Sequence, residues 1–294
     1  PEEMAPEAIS SFFVEDAFGP TGLPASRLRS VAGRAADPVL YEVRGPSVRL
    51  TINRPDQRNA IDDRVVEGLL SGLERSALDD SVRCVVLTGA GDRAFSAGGD
   101  LASTMSQGEG PARQHDSRGR IGDLLVAMAK HPLPVVARVN GAALAGGFGL
   151  VLACDLAVAA DDIEVGTPEI DLGLWPFMIS AVMARNIPRK IATEMMLTGR
   201  RLPAAEAARW GMLNRVVPRP ELDETVDGLV EELSSKSPLA LRLGKESFYR
   251  AQDMGFEESL AYLNAMLSVD LQSEDVVEGV SAFLQKRKPE WKGR

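Results

Sequence analysis

A chain of 294 residues has room for one large domain, or for one domain with an appendage. Its 45% hydrophobic and 26% charged content is that of an ordinary globular protein, and its net charge of −9 speaks against a general nucleic-acid binder. No apolar run reaches the roughly 18 residues of a membrane helix, and two histidines and two cysteines leave little material for a His-rich metal site or a Ser-His-Asp triad.

Residues 1–37 show no sustained period. Early acids (Glu2, Glu3, Glu7, Glu15, Asp16) argue against a transit peptide, and no signal-peptide core is present. A flexible N-terminal extension and a cytoplasmic location are therefore expected. The ordered region begins near Val39: 39–43 and 48–52 alternate as a hairpin, and Asn53-Arg54-Pro55-Asp56 is turn chemistry. Residues 62–78 carry apolar positions at helical spacing with Asp62 or Asp63 as cap. A buried strand over 83–87 follows. Residues 103–120 are rich in Gly, Ser and Gln and read as a long loop before a helix over 121–130. A strand over 134–139, a helix over 146–153 and a strand over 156–159 come next, so strand, strand, helix recurs about three times. From Ile179 onward the pattern is almost entirely helical, with helices expected over 179–185, 190–198, 204–210, 222–234, 239–251, 256–270 and 273–286. Cys84 and Cys154 lie in apolar runs and read as reduced core thiols.

Asn140-Gly141-Ala142-Ala143-Leu144-Ala145-Gly146-Gly147-Phe148-Gly149 passes from a strand through small residues into a buried helix. Small residues at a helix N-terminus let a ligand approach backbone N–H groups, and the helix dipole there favours negative charge. The segment reads as an oxyanion site made of backbone, with a glycine and no acid at position 149. Ala97-Gly98-Gly99-Asp100-Leu101 is a second small-residue turn after a strand; alone it reads as packing, but two such turns can aim one N–H each at the same oxygen. Gly89-Ala90-Gly91-Asp92-Arg93-Ala94 mimics a dinucleotide fingerprint, yet it opens no helix and lacks the later acid. In Thr167-Pro168-Glu169 the pattern alone reads as a helix start, with Thr167 as N-cap and Glu169 as a first-turn carboxylate. His115 reads as a solvated loop residue and His131 as a connector. Trp175, Phe177 and Met178 either wall a pocket or fill the core.

Taken together, Asn53 to Ile61, Ala94 to Leu101, Val139 to Gly147, Ala153-Cys154-Asp155-Leu156, Thr167 to Leu174, Leu197 to Leu202, Gly211 to Val217 and Lys286 to Trp291 resemble the crotonase, or enoyl-CoA hydratase/isomerase, superfamily. The resemblance runs from about Val39 to the C-terminus and leaves the first 37 residues uncovered. It implies an α/β fold, a crotonase-like spiral of ββα units: an extension over 1–37, a spiral core with the CoA site over 38–215, and a C-terminal helical trimerisation region over 216–294. It further implies a homotrimer or dimer of trimers, an acyl-CoA thioester as substrate, no separate cofactor, no metal, and no nucleic-acid or membrane partner, in an enzyme of fatty acid metabolism. The N–H groups of Gly99 and Gly146 would hold the thioester oxygen, and Glu169 would be the catalytic carboxylate. Arg58, Ala60, Ile61, Ala97, Asp100 and Leu101 would line the CoA path, with Phe283 and Lys286 of the last helix approaching CoA from a neighbouring subunit.

Hydratases of this superfamily carry a further glutamate at the position matching Gly149, and here it is missing. Hydration needs a water aligned at C3 and a proton at C2, for which two carboxylates serve well. One carboxylate suffices to take a proton from one carbon and return it to another. The reading that follows is isomerisation of 3-enoyl-CoA to 2-enoyl-CoA with Glu169 as the lone acid/base. Hydration with a substitute acid from the 103–120 loop or His115, other CoA chemistry, and a non-catalytic acyl-CoA binder stay open.

Overall fold

Val39–Arg44 (β1) and Ser47–Ile52 (β2) form the expected hairpin, paired antiparallel from Val39 with Ile52 through Arg44 with Ser47. The computed structural model describes residues 37–100 and 110–294, so the expected extension over 1–37, apart from Asp37, lies outside the described residues, as does Leu101. The strands that follow come in pairs. Cys84–Gly89 (β3), Val135–Val139 (β5) and Leu156–Ala160 (β7) enter one sheet. The short strands Ala94–Ser96 (β4), Ala142–Leu144 (β6) and Glu164–Gly166 (β8) follow each of them into another. Arg201–Pro203 (β9) and Arg215–Val217 (β10) complete the two sheets, whose orders are β1-β2-β3-β5-β7-β10 and β4-β6-β8-β9. All pairings from β2 onward in the larger sheet are parallel, and in the smaller one only β8 with β9 is antiparallel. Each turn of the chain thus gives one strand to each sheet, the ββα spiral. β10 spans residue 215, where the core was expected to end.

Strands covered on both faces read as unbroken apolar runs, and β3 is buried at every position. Asp63–Ala77 (α1) begins where Asp62 accepts the Val65 N–H at 2.9 Å, and it buries Val65, Val66, Leu69 and Leu73. The helix expected over 121–130 is longer: Pro111–Lys130 (α2) replaces much of the expected loop and carries His115, which is exposed. Gly110 and Pro111 are the start signal, N-cap and first helical position, and the glycines at 119 and 122 hid the continuity. Gly146–Ala153 (α3) keeps the expected span. The remaining helices are Phe177–Asn186 (α4), Arg189–Thr198 (α5), Ala204–Arg209 (α6), Leu222–Ser234 (α7), Pro238–Ala251 (α8), Phe256–Asp270 (α9) and Glu274–Gln285 (α10). Among the described residues no helix is long and apolar enough to cross a membrane.

A polar knot ties α8 to the larger sheet. Lys245 Nζ donates to Asp155 Oδ2 at 2.7 Å, to Met128 O at 3.2 Å and to Leu133 O at 3.1 Å. Asp155 also accepts the Val135 N–H at 2.7 Å and the Tyr249 hydroxyl at 2.9 Å. His131 is buried beside it rather than a simple connector: its Nε2 meets Ser76 Oγ and Leu73 O, and its Nδ1 meets Leu133. Burial lowers its pKa, so the ring is neutral near pH 7. Cys84 and Cys154 are free and buried, and burial pushes the Cys84 thiol up to about 12. At the C-terminus the tail folds back on α10. Asp275 accepts the Lys292 and Gly293 N–H groups and the hydroxyl of Ser237, the α8 N-cap.

Candidate active site

Strands β4, β6 and β8 are adjacent and parallel, so their C-terminal ends share one edge, about 4.8 Å from neighbour to neighbour. The chain leaves β4 into Ala97–Asp100, β6 into Ala145 and Gly146, and β8 into Thr167–Glu169. Both glycines and the carboxylate singled out from the sequence are therefore delivered to one edge, each on its own turn.

The first turn is stitched to the segment after β2. Ala97 N donates to Arg58 O at 3.0 Å, Ile61 N to Gly98 O at 2.8 Å, and Asp100 N to Ile61 O at 2.9 Å. These last two bonds form a parallel bridge centred on Ile61 and Gly99. In such a bridge the flanking groups of the second strand bond to the partner, so the Gly99 N–H points to the other side, away from Ile61. Gly146 is close by: a Cβ built on it would sit 3.6 Å from Gly99 N and 3.6 Å from Ile61 Cδ1. The turns touch at Gly98, whose φ is +94° and whose Cβ, were there one, would be 2.6 Å from Ala145 Cβ and 3.0 Å from Gly146 N. Only glycine fits there.

Gly146 opens α3, so its N–H is one of the amides that a helix cannot satisfy itself. Ala145 sets its direction with φ 50° and ψ −128°, a conformation that an L side chain rarely adopts. The strain is held by two bonds, Ala145 N to Gly166 O at 2.8 Å and Gly149 N to Ala145 O at 3.1 Å. The backbone amides of Gly99 and Gly146 are thus brought close together at one edge.

Glu169 follows β8 in a short 3-10 helix, Pro168–Leu172. Its Oε2 is buried with no hydrogen-bond partner among the described residues, and burial raises its pKa against the smaller effect of its own backbone N–H. The expected N-cap is not formed: Thr167 makes no capping bond, and its hydroxyl is fully buried without a partner among the described residues. A five-residue 3-10 segment with Thr167 at φ −126°, ψ 76° does not present its amides as an α-helix would. Glu169 thus keeps one buried carboxylate oxygen without a partner among the described residues, and its pKa is raised by burial.

The other expected residues divide. Arg58, Ala60, Ile61 and Ala97 lie along the stitched turns next to Gly99. Arg58 (φ 51°) and Asn59 (φ 55°) are successive left-handed residues. Buried Asn59 accepts the Arg54 N–H and donates to Ala90 O and Ala94 O, which holds this conformation. Asp100 is engaged structurally: Arg54 reaches its Oδ2 at 2.9 Å, Asp62 Oδ2 at 3.2 Å and Ala60 O at 2.8 Å. Phe283 stands in the last turn of the last helix, 82% exposed, and Lys286 is that helix's C-cap. Phe177 (75% exposed) and Met178 do not fill the core. An open groove between α1 and α2, lined by Leu70, Leu73, Ala127 and Pro132, shares no residue with the glycine turns. Sequence reasoning missed the supporting residues Arg54, Asn59 and Ala145. It also missed Ile179, which packs on α3 across a separation that leaves no local signal.

Comparison with known proteins agrees with this architecture. A family model described as enoyl-CoA hydratase/isomerase matches residues 47–294. A carnitinyl-CoA dehydratase from Salmonella enteritidis PT4 is 38% identical over 256 residues, covering 85% of this chain and 96% of that protein. Among solved structures, an enoyl-CoA hydratase of Mycobacterium smegmatis superposes with a TM-score of 0.82 at 36% identity, covering 86% of this chain and 98% of that one. One of Bacillus anthracis superposes with a TM-score of 0.82 at 31% identity, covering 87% and 100%. The chain belongs to the enoyl-CoA hydratase/isomerase family, the crotonase superfamily. It is an acyl-CoA enzyme of that superfamily.

Proposed function

We propose that the protein isomerises 3-enoyl-CoA to 2-enoyl-CoA, with Glu169 as the only acid/base. The observation that carries this reading is a carboxyl whose buried Oε2 has no partner among the described residues, on the same strand edge as the Gly99 and Gly146 turns, with glycine at position 149. The Glu169 carboxylate takes a proton from C2 of the thioester. The electron pair moves through the C3–C4 double bond and the carbonyl, giving a dienolate whose charge rests on the thioester oxygen. The N–H groups of Gly99 and Gly146 bind that oxygen more strongly as its charge grows. The Glu169 carboxylic acid then returns the proton at C4, leaving the double bond between C2 and C3 and the carboxylate restored. A raised pKa suits the task, because it brings the base closer to the acidity of the carbon it must deprotonate.

The CoA moiety would run along Arg58, Ala60, Ile61 and the turn from Ala97 to Leu101. The exposed apolar side chains of α9 and α10, Phe256, Leu260, Leu267, Val280 and Phe283 among them, support a homotrimer or dimer of trimers. There Phe283 and Lys286 would reach CoA bound to a neighbour. A second reading, hydration or dehydration, is favoured by relatives named as a carnitinyl-CoA dehydratase and enoyl-CoA hydratases; it needs a second proton carrier that Gly149 cannot supply.

A panel of 3-enoyl and 2-enoyl thioesters read by chromatography and mass spectrometry separates the two. Isomerisation shifts retention with no change of mass. Addition of one water to the 2-enoyl substrates, with the 3-enoyl ones left unchanged, would overturn the proposal in favour of hydration.

A further inference from the structure

One face of α3 carries both Gly146 and Gly149, since residues three apart lie one above the other on a helix. A side chain at 149 would lean toward the helix N-terminus, and so toward the Gly146 amide. That space is occupied. A Cβ built on Gly149 would lie 2.3 Å from Ile179 Cγ2 and 3.0 Å from Ile179 Cβ, well inside the ~3.5–4.0 Å of a favourable carbon contact. Ile179 is only 4% exposed and sits in the first turn of α4, the helix that follows the Glu169 segment. It is β-branched and stiff. Its helix is anchored beside α3 by the buried Met183 and by Asn186 Nδ2, which donates to Leu152 O at 3.2 Å. Ile179 therefore cannot swing aside without moving α4.

We propose that Ile179 is a specificity-determining residue: it fills the volume beside the Gly146 amide that an attacking water or a second proton carrier would need. An ordered water requires two to four polar partners, and a branched hydrocarbon offers none. With that side of the site dry, no proton is delivered from there, and its return falls to Glu169. The inference rests on the isomerase reading above.

The test is the ratio of hydrated to isomerised product from one 3-enoyl-CoA, measured by mass spectrometry for wild type, Ile179→Val, Ile179→Thr and Ile179→Ala. We expect the ratio to rise about tenfold in Ile179→Ala, a change of ~1.4 kcal/mol in relative barriers. Ile179→Thr, which keeps the branch and adds a hydroxyl, should also raise it, while Ile179→Val stays within about twofold of wild type by the same measure. If Ile179→Ala fails to fold, Ile179→Thr carries the test. Isomerisation in wild type with an unchanged ratio in the folded Ala or Thr variant overturns the role of Ile179 and leaves the isomerase reading intact. A wild type that hydrates without isomerising, or that turns over neither substrate, overturns both.

Discussion

Replacing Lys245 by methionine keeps the length of the side chain and removes its ammonium. In the folded protein that ammonium lies 2.7 Å from Asp155 Oδ2, with 9% of the Lys245 side chain and 17% of the Asp155 side chain exposed. Met128 O and Leu133 O lose the donor they share, and Asp155 keeps the Val135 N–H and Tyr249 hydroxyl but no counter-charge. Removing one partner of a buried ion pair costs about 3–5 kcal/mol. The two remaining donors place Asp155 at the lower end, about 3 kcal/mol. An unfolding entropy of about 2.1 cal/mol/K per residue amounts to roughly 0.6 kcal/mol per degree for 294 residues, so Tm should fall by about 5 °C. Calorimetry on wild type, Lys245→Met, Asp155→Asn and the double variant gives both the loss and the coupling, expected near 1–3 kcal/mol for groups in contact. The reasoning fails if Lys245→Met melts within a degree of wild type, or if the two single losses simply add.

Glu169→Gln should slow proton transfer by about a hundredfold or more yet melt at or above the wild-type Tm at neutral pH. Burial raises this carboxyl's pKa, so its contribution to stability is present below the unfolded value and lost as pH rises through the folded one. The advantage of glutamine should therefore shrink as the pH is lowered; a variant that melts well below wild type at pH 7 would show Glu169 to be structural. The same shift puts the acid limb of kcat/KM above the ordinary glutamate value of 4.5, and a limb at or below that value, followed in a pH series, would count against Glu169 as the base. Gly98→Ala forces a Cβ into Ala145 at φ +94°. It should cost about 2–4 kcal/mol, from overpacking and a left-handed alanine together, and should depress activity by separating the two amides. Wild-type melting and turnover would refute the packing of the turns described above.

The span of α3 was legible because small residues and an apolar run announce it at both ends. Five of the six strands of the larger sheet were legible, β3 and β5 from the apolar runs Cys84 to Leu87 and Val135 to Ala137, whereas the three-residue β10 was not. The smaller sheet was not: β4, β6 and β8 are three residues each, too short to show a period, and only their pairing makes them strands. The residues that bring the two glycine turns to one edge were thus the least visible, although the glycines themselves stood out. α2 was cut short because the glycines at 119 and 122 hid helical continuity back to Pro111. Thr167 shows the opposite error, a local rule applied where the chain makes a 3-10 turn instead. The closure of position 149 by Ile179 depends on how α4 packs on α3, and no spacing in the chain encodes that.

The amides of Gly99 and Gly146 belong to the main chain, which has a practical consequence for anyone mapping this protein by mutation. An alanine scan changes side chains: it would test Glu169 directly, but the proposed oxyanion amides only through shifts of the backbone such as Gly98→Ala would cause. At Gly99 a Cβ meets nothing within 4 Å, so even substitution there could leave the donor in place and look silent. Replacing single amides by esters, which deletes an N–H and keeps every side chain, is the perturbation matched to a site built this way.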